Sequence, residues 1–139
     1  MRFLLDTCVL SEVVKPEPNP GVTAWLDATD EYVLHLSVLT LGEIQKGVSG
    51  LASGQRKQRL QSWLDRDLRR RFSGRVLPVS EDTATEWGLL SGEAKQNGIS
   101  APVIDTLLAA TAREHNLVLV TRNTKDFEPF SLHLLNPWI

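Results

Sequence analysis

Apolar residues along this chain fall into short unbroken runs separated by longer stretches with helical spacing. Phe3–Leu5 and Leu117–Thr121 are almost wholly apolar, as expected for strands buried on both faces of a parallel sheet. Tyr32–Ser37 and Arg75–Val79 are rich in residues that favour strands, and Ser131–Leu135 predicts a last strand at an edge. The pattern therefore predicts five strands.

Helical spacing between these runs predicts six helices, and proline or glycine marks several of their ends. They are Thr7–Val14, Val22–Ala28, Leu39–Leu51, Gln55–Phe72, a helix opened by Ser80 and closed by Gly98, and Pro102 to about His115. Strands that alternate with helices predict an α/β fold of three layers, with a mainly parallel central sheet. The 139 residues have the size of one domain, and no repeat divides them.

The first predicted strand ends abruptly on a carboxylate, Asp6. A carboxylate at the end of a buried strand is unfavourable unless another group pairs with it. In open α/β sheets, ligands bind beyond the carboxyl ends of the strands, near the point where the strand order reverses. Asp6 is therefore expected to lie in a functional site.

Three further acids fall at comparable places in the predicted fold. Glu43 lies six residues past Ser37, about one turn into the helix that follows the second strand. Asp105 lies in the first turn of the helix that leads into Leu117–Thr121, and Asp126 lies in the loop after that strand. Chain segments at one edge of the sheet can bring all four acids together.

Each of these three acids also has a purely structural interpretation. Thr40 to Glu43 matches a capping box, in which Glu43 would satisfy a backbone N–H. Asp105 could be favoured by the helix N-terminus, and Asp126 could be a turn residue. The helix around Asp105 is apolar almost all round, which favours a position facing the interior or a cleft.

Four clustered carboxylates would repel one another, and several would be forced to take up protons. A hard divalent cation relieves this repulsion, and Mg²⁺ or Mn²⁺ prefers oxygen ligands. Such a site is suited to attack on a phosphodiester, because the ion activates water and neutralises developing charge. The acids thus predict metal-dependent phosphodiester chemistry.

Four segments carry a resemblance to a known family: LLDTCVLSE, LSVLTLGEIQKG, PVIDTLLAATAREHNL and LVTRNTKDFEPF. In order and spacing they resemble the motifs of PIN-domain ribonucleases, within the VapC-type toxins of prokaryotic type II toxin–antitoxin modules and their FitB-like branch. The resemblance covers essentially the whole chain. It implies a three-layer α/β/α PIN domain over residues 1–139 and an Mg²⁺-dependent endoribonuclease, with Mn²⁺ able to replace Mg²⁺.

The resemblance also implies the parts that the acids play. Asp6 and Asp105 would be the main metal ligands. Glu43 would bind metal or orient the attacking water, and Asp126 would complete the site directly or through water. Asn123 stands where many relatives have Asp, so the fourth acidic role is open between these two positions.

Residues beside the acids are expected to support them. Thr121 and Arg122 would position the phosphate, whereas Thr7 and Ser37 would donate hydrogen bonds to the carboxylates. Cys8 departs from the family, which usually has Asn after the Asp-Thr pair. A thiol does not replace the hydrogen bonds of an amide, so we expect weaker local scaffolding but retained metal binding.

Charge is unevenly distributed along the chain, whose net charge is −2. The segment Gln55–Arg75 holds eight of the 15 basic residues and only two of the 17 acidic ones. This helix is either an ordinary solvated face or a cationic surface that holds the RNA backbone.

The remaining composition favours a cytoplasmic protein. A single cysteine fits a reducing compartment, and no apolar run approaches the roughly 18 residues of a membrane span. The first residues do not resemble a signal peptide. A membrane partner is therefore not expected.

The family resemblance implies a homodimer and a small cognate VapB-type antitoxin that blocks the site, and it leaves a higher toxin–antitoxin assembly open. Two alternatives stay open from the residues. One is a non-catalytic PIN-fold module that binds a partner and regulates DNA binding through its antitoxin. The other is a DNA or flap-type nuclease on the same scaffold.

Overall fold

Five short strands form one parallel sheet in the order β3-β2-β1-β4-β5. The computed structural model describes all 139 residues. The strands are β1 (Phe3–Leu5), β2 (Leu34–Ser37), β3 (Val76–Leu77), β4 (Val118–Val120) and β5 (Leu134–Leu135). The predicted five-stranded parallel sheet is confirmed.

Helices cover both faces of this sheet. They are α1 (Thr7–Val13), α2 (Pro20–Ala28), α3 (Val38–Ser49), α4 (Gln55–Ser62), α5 (Arg69–Arg71), α6 (Glu81–Gln96), α7 (Val103–Glu114) and α8 (Thr124–Phe127). Two 3₁₀ turns, Glu31–Val33 and Glu128–Phe130, and a π-helical turn, Trp63–Leu68, complete the chain. None of the helices combines the length and the apolar character that crossing a membrane requires.

Alternation along the central strands creates two hydrophobic cores. Phe3 and Leu5 of β1 enter one core with residues of α1, α3 and the π-helical turn. Leu4 points to the opposite face, where it joins Leu119 and the apolar side of α7. Because successive side chains of a strand point to opposite faces, one apolar run supplies both cores. The three-layer α/β/α architecture is confirmed.

The second strand is shorter than predicted, because its first residues form the 3₁₀ turn Glu31–Val33. The side chain of Asp30 accepts a hydrogen bond from Tyr32 N at 2.9 Å and caps this turn. Tyr32 is left 82% exposed. A local capping carboxylate thus overrides the strand propensity of tyrosine and valine.

The long basic helix predicted over Gln55–Phe72 runs through without a break, but its centre is a π-helical turn. Leu64, Leu68 and Phe72 follow one another at intervals of four and are all buried. Residues four apart lie on one face of a helix, so these three side chains form the stripe that packs on the core. The π-helical turn carries two of them, Leu64 and Leu68, and leaves both buried.

Two predictions near the end of the sheet need correction. Asp126 does not lie in a loop but in the first turn of α8, which Phe127 anchors in the core. The predicted strand Ser131–Leu135 contracts to β5, because Ser131 adopts a left-handed backbone conformation with φ of 53°. A residue in that conformation does not continue an extended strand.

Candidate active site at the carboxyl edge of the sheet

The strand order reverses between β1 and β4. From β1 the chain moves outward through β2 and β3 on one side, and later through β4 and β5 on the other. Asp6 follows β1, and its backbone N–H donates to Val120 O of β4 at 3.0 Å. Asp6 therefore lies at the switch point, where an α/β sheet opens a crevice for a ligand.

Asp6 is half-buried, and both of its carboxylate oxygens have donors. Oδ1 accepts from the backbone N–H of Thr7 at 2.8 Å, which makes Asp6 the N-cap of α1. Oδ2 accepts from the hydroxyl of Thr121, also at 2.8 Å. Burial nevertheless raises the pKa of Asp6, and the charge of Asp126 adds to this rise. The ionised form of Asp6 is therefore disfavoured relative to that of an aspartate in water.

Glu43 projects from α3 and is bound to the start of α1. Its Oε1 accepts a hydrogen bond from Thr7 Oγ1 at 2.7 Å. The capping-box alternative is wrong, because the N-cap of α3 is Ser37, whose Oγ accepts from Leu39 N at 3.0 Å. The hydrogen bond of Ser37 is thus made to the backbone, whereas Thr7 does contact a carboxylate.

Asp105 lies half-buried in the first turn of α7. Burial raises its pKa most, and the charges of Asp6, Asp126 and Glu43 raise it further. No hydrogen bond to its side chain offsets this effect. The charges of four acids from four separate segments therefore interact at a single edge of the sheet.

The fourth acidic position involves Asp126 and Asn123, which both belong to the start of α8. The charge of Asp126 acts on Asp6 and Asp105. Asn123 contributes through its backbone N–H, which donates to Thr121 Oγ1 at 3.0 Å. Of the two, Asp126 carries the charge that couples to the other acids.

Thr121 and Cys8 support Asp6 from the side of the core. Thr121 is fully buried and both donates to Asp6 and accepts from Asn123, so it holds the carboxylate in place. Cys8 Sγ lies 3.8 Å from Asp6 Oδ2 and 3.7 Å from Thr121 Oγ1. Burial and the neighbouring Asp6 raise the pKa of the Cys8 thiol, which keeps it protonated as a weak donor.

The four acids suit a hard divalent cation by donor type, since carboxylate oxygens are the ligands that Mg²⁺ and Mn²⁺ prefer. The other three acids repel the charge of Asp105, and a bound cation would relieve this repulsion. At the same time, no three acidic, histidine or cysteine side chains converge closely enough here to hold a metal ion.

A polar recess of about 320 Å³ opens beside these acids and is lined by residues 122–126. It contains two cations, Arg122 and Lys125, and neither forms a salt bridge. The sequence analysis had not singled out Lys125, because an isolated lysine in a polar loop gives no signal. The recess adds positive charge to an otherwise acidic edge.

Comparison with known proteins agrees with this architecture. The PIN domain family matches residues 3–130. The chain belongs to the PIN domain family. This PIN domain is 37% identical over 136 residues to the toxin FitB of Neisseria gonorrhoeae, with 98% of each chain covered. It is also 36% identical to the VapC ribonuclease Y4jK of Sinorhizobium fredii, covering 98% of this chain and 97% of that protein.

Solved structures give the same result for the PIN fold. The structure of FitAB bound to the IR36 DNA fragment matches with a TM-score of 0.92 at 35% identity, over 99% of this chain and 96% of that one. VapBC2 from Rickettsia felis, bound to a promoter DNA fragment, matches with a TM-score of 0.82 at 27% identity, over 98% of both chains. Both are complexes bound to DNA. The family predicted from the four motifs is confirmed.

Proposed function

We propose that this PIN domain is a metal-dependent endoribonuclease and the toxin of a VapBC-type toxin–antitoxin pair in the cytoplasm. The observation that carries the proposal is the electrostatic coupling of Asp105 to three acids from distant parts of the chain. A folded protein has no structural need to place four carboxylates at one edge and bear their repulsion. A function that uses Mg²⁺ or Mn²⁺ explains the arrangement.

In this proposal, Asp6 and Asp105 hold the ion, and Glu43 and Asp126 complete the set directly or through water. When bound, the ion lowers the pKa of a water molecule and neutralises charge that develops on the phosphate. Thr7 fixes one oxygen of Glu43, which leaves Oε2 to accept a proton from the attacking water.

Groups around the acids bind and orient the RNA. Arg122 and Lys125 offer N–H donors to the phosphate from the recess. Thr121 keeps Asp6 oriented through the bond to Oδ2. The exposed arginines of α4 and the π-helical turn attract the backbone without reading the bases.

The test is cleavage of single-stranded RNA by the purified protein with Mg²⁺ or Mn²⁺. Asp6→Asn and Asp105→Asn should abolish cleavage while the proteins stay folded. Asp82→Asn, an exposed acid on α6, is the matched control and should cleave like the wild type. Full cleavage by Asp105→Asn would refute the assignment, and parallel assays on DNA separate a DNA nuclease.

Partners follow from the relatives. Because FitAB and VapBC2 are solved as complexes on DNA, we propose that this chain also binds a small VapB-type antitoxin, and that it forms a homodimer. Co-expression with the adjacent open reading frame, followed by size-exclusion chromatography with light scattering, measures both. A monomer that captures no product of the neighbouring gene would contradict this part.

The second candidate function is a non-catalytic module that regulates DNA binding through its antitoxin. The observation that favours it is the absence of three metal-binding groups at ligand spacing. It predicts tight antitoxin binding but no RNA cleavage with either ion, even for the wild type. The cleavage assay therefore decides between the two candidates.

A further inference from the structure

Two side chains beyond neighbouring strands meet at the edge that carries the acids. Arg122 follows β4 and Trp138 follows β5, and these strands are parallel, with Val120 paired to Leu135. Both residues therefore leave the sheet at the same edge. The guanidinium carbon of Arg122 lies 5.7 Å from the centre of the Trp138 ring, within the range of a cation–π contact.

The Trp138 ring is held in place by a buried carboxylate. Its Nε1 donates to Glu12 Oε1 at 3.2 Å, and Glu12 is only 5% exposed. Glu12 also accepts from Lys15 Nζ at 3.0 Å and from the backbone N–H of Asn19 at 3.1 Å. These donors lower the pKa of Glu12, so it stays ionised and keeps accepting from the indole.

The segment before Trp138 is also fixed by close packing. A Cβ atom added at Gly21 would lie 2.5 Å from the carbonyl oxygen of Pro137. The backbone N–H of Trp138 donates to Asn136 Oδ1 at 2.9 Å. The ring is thus anchored at its indole nitrogen and through its backbone, and it presents one face as a rigid platform.

Arg122 itself has no carboxylate partner. Its guanidinium stays exposed beside the recess of residues 122–126, next to the acids. An ion pair would neutralise the guanidinium and occupy its donors, whereas an aromatic face restricts its movement and leaves its N–H groups free. The arrangement orients a cation for an anion that comes from outside.

We propose that Trp138, anchored by Glu12, is a positioning residue that holds Arg122 for a backbone phosphate of the RNA substrate. The inference rests on the proposed ribonuclease function and assigns a subsite to it. Arg122 binds the phosphate, and Trp138 acts only through Arg122. Lys125 lines the same recess but does not share the cation–π contact with Trp138, and it binds the RNA independently.

The experiment measures kcat and KM for cleavage of a short single-stranded RNA, together with RNA binding against salt concentration. Arg122→Gln and Trp138→Leu should each raise KM roughly threefold to tenfold, as expected for a contact of this strength. The double variant should be no worse than Arg122→Gln alone, because Trp138 works through Arg122. The slope of log K against log salt should fall by about 0.7 for either single variant, the value for one phosphate contact on a single strand.

Two further variants separate positioning from folding. Trp138→Phe keeps an aromatic face but loses the donor to Glu12, so its KM should lie between those of the wild type and Trp138→Leu. Lys125→Gln combined with Trp138→Leu should multiply the two KM effects, because these side chains act separately.

Several outcomes would overturn the inference. A Trp138→Leu protein with lower stability but unchanged KM and salt slope would show a structural role alone, as would multiplied effects of Trp138→Leu and Arg122→Gln. If Trp138→Leu does not fold, Trp138→Met, which also lacks an aromatic face, gives the same comparison with Arg122→Gln. A wild type that cleaves no RNA but binds it with the expected salt slopes would refute the ribonuclease function and leave the Arg122 subsite standing. Absence of RNA binding would refute the subsite.

Discussion

The hydroxyl of Thr121 donates a 2.8 Å hydrogen bond to the carboxylate of Asp6, 115 residues earlier in the chain. The contact joins the ends of the two central strands, β1 and β4, across the switch point of the sheet. Asp6 is half-buried, and this bond is the largest influence that opposes the rise of its pKa by burial. Thr121 thus limits the rise in the pKa of Asp6 at the edge where the acids meet.

Thr121→Val removes this donor with little change in shape. The pKa of Asp6 should rise further, so the acidic limb of the pH–activity profile for RNA cleavage should move to higher pH. Activity at mildly acidic pH should fall more than activity at alkaline pH. Thr121→Ser keeps the hydroxyl and should retain the wild-type profile, and an unshifted profile for Thr121→Val would argue against this role.

Asp105→Asn should stabilise the metal-free protein at neutral pH. The folded-state pKa of Asp105 is raised above its ordinary value of 3.8, so its ionised form destabilises the fold. That penalty disappears as the pH falls through the raised pKa, and below 3.8 the folded and unfolded states are both protonated. In EDTA we expect a melting temperature a few degrees higher than the wild type at pH 7, with a difference that shrinks toward pH 4.

The same pair of proteins tests metal binding. An ion that binds only the folded state raises the melting temperature, by an amount equivalent to about 2.7 kcal/mol at 100 times its Kd. Addition of Mn²⁺ should therefore raise the melting temperature of the wild type and have a much smaller effect on Asp105→Asn. Equal responses of the two proteins would place the ion elsewhere.

Arg71 and Arg70 are neighbours in the basic segment with different surroundings. Arg71 forms a two-pronged salt bridge with Glu31, at 2.9 Å between Nη2 and Oε1 and 3.0 Å between Nε and Oε2. Arg70 has no such partner. Arg71→Gln should lower stability at pH 7 by about 0.2–1 kcal/mol, because both side chains are substantially exposed, whereas Arg70→Gln should be neutral.

The pH dependence of this effect has a defined sign. Arg71 lowers the pKa of Glu31 below its ordinary value of 4.5. The stabilisation is therefore present above 4.5 and lost as the pH falls through the folded-state pKa. Urea melts should show a larger Arg71→Gln difference at pH 7 than at pH 3. For RNA binding the order should reverse: Arg70→Gln should weaken RNA binding more than Arg71→Gln does, because Arg71 is already paired with Glu31.

Gly21→Ala should destabilise the protein, because its new Cβ would meet the Pro137 carbonyl and push the segment that carries Trp138. Forced packing of this kind destabilises by about 1–3 kcal/mol. Gly88→Ala is the matched control on α6, where nothing beyond the helix's own neighbouring backbone lies within 4 Å of the new Cβ. It should stabilise the protein by up to about 1 kcal/mol, since alanine favours a helix. Thermal melts of both variants check the pair.

Much of the fold follows from short-range information in the sequence. Phe3–Leu5 and Leu117–Thr121 are apolar on both faces, and only a strand covered on both sides buries such a run. The boundaries differ from the prediction where local capping competes with propensity, as at Asp30 and Tyr32, and the predicted long helix contains a π-helical turn. Such competition depends on side-chain contacts that a periodic pattern does not contain.

For the candidate site, too, some features follow from the sequence and others only from the tertiary structure. The sequence by itself determined which acids reach this edge, because Asp6 follows β1 and Asp105 begins α7, and a parallel sheet must bring these element ends together. Only the tertiary structure decided that Thr121 binds Asp6, that Thr7 binds Glu43, and that Trp138 contacts Arg122. These pairs join segments whose separation along the chain carries no periodicity, so their distances are set by how the layers pack.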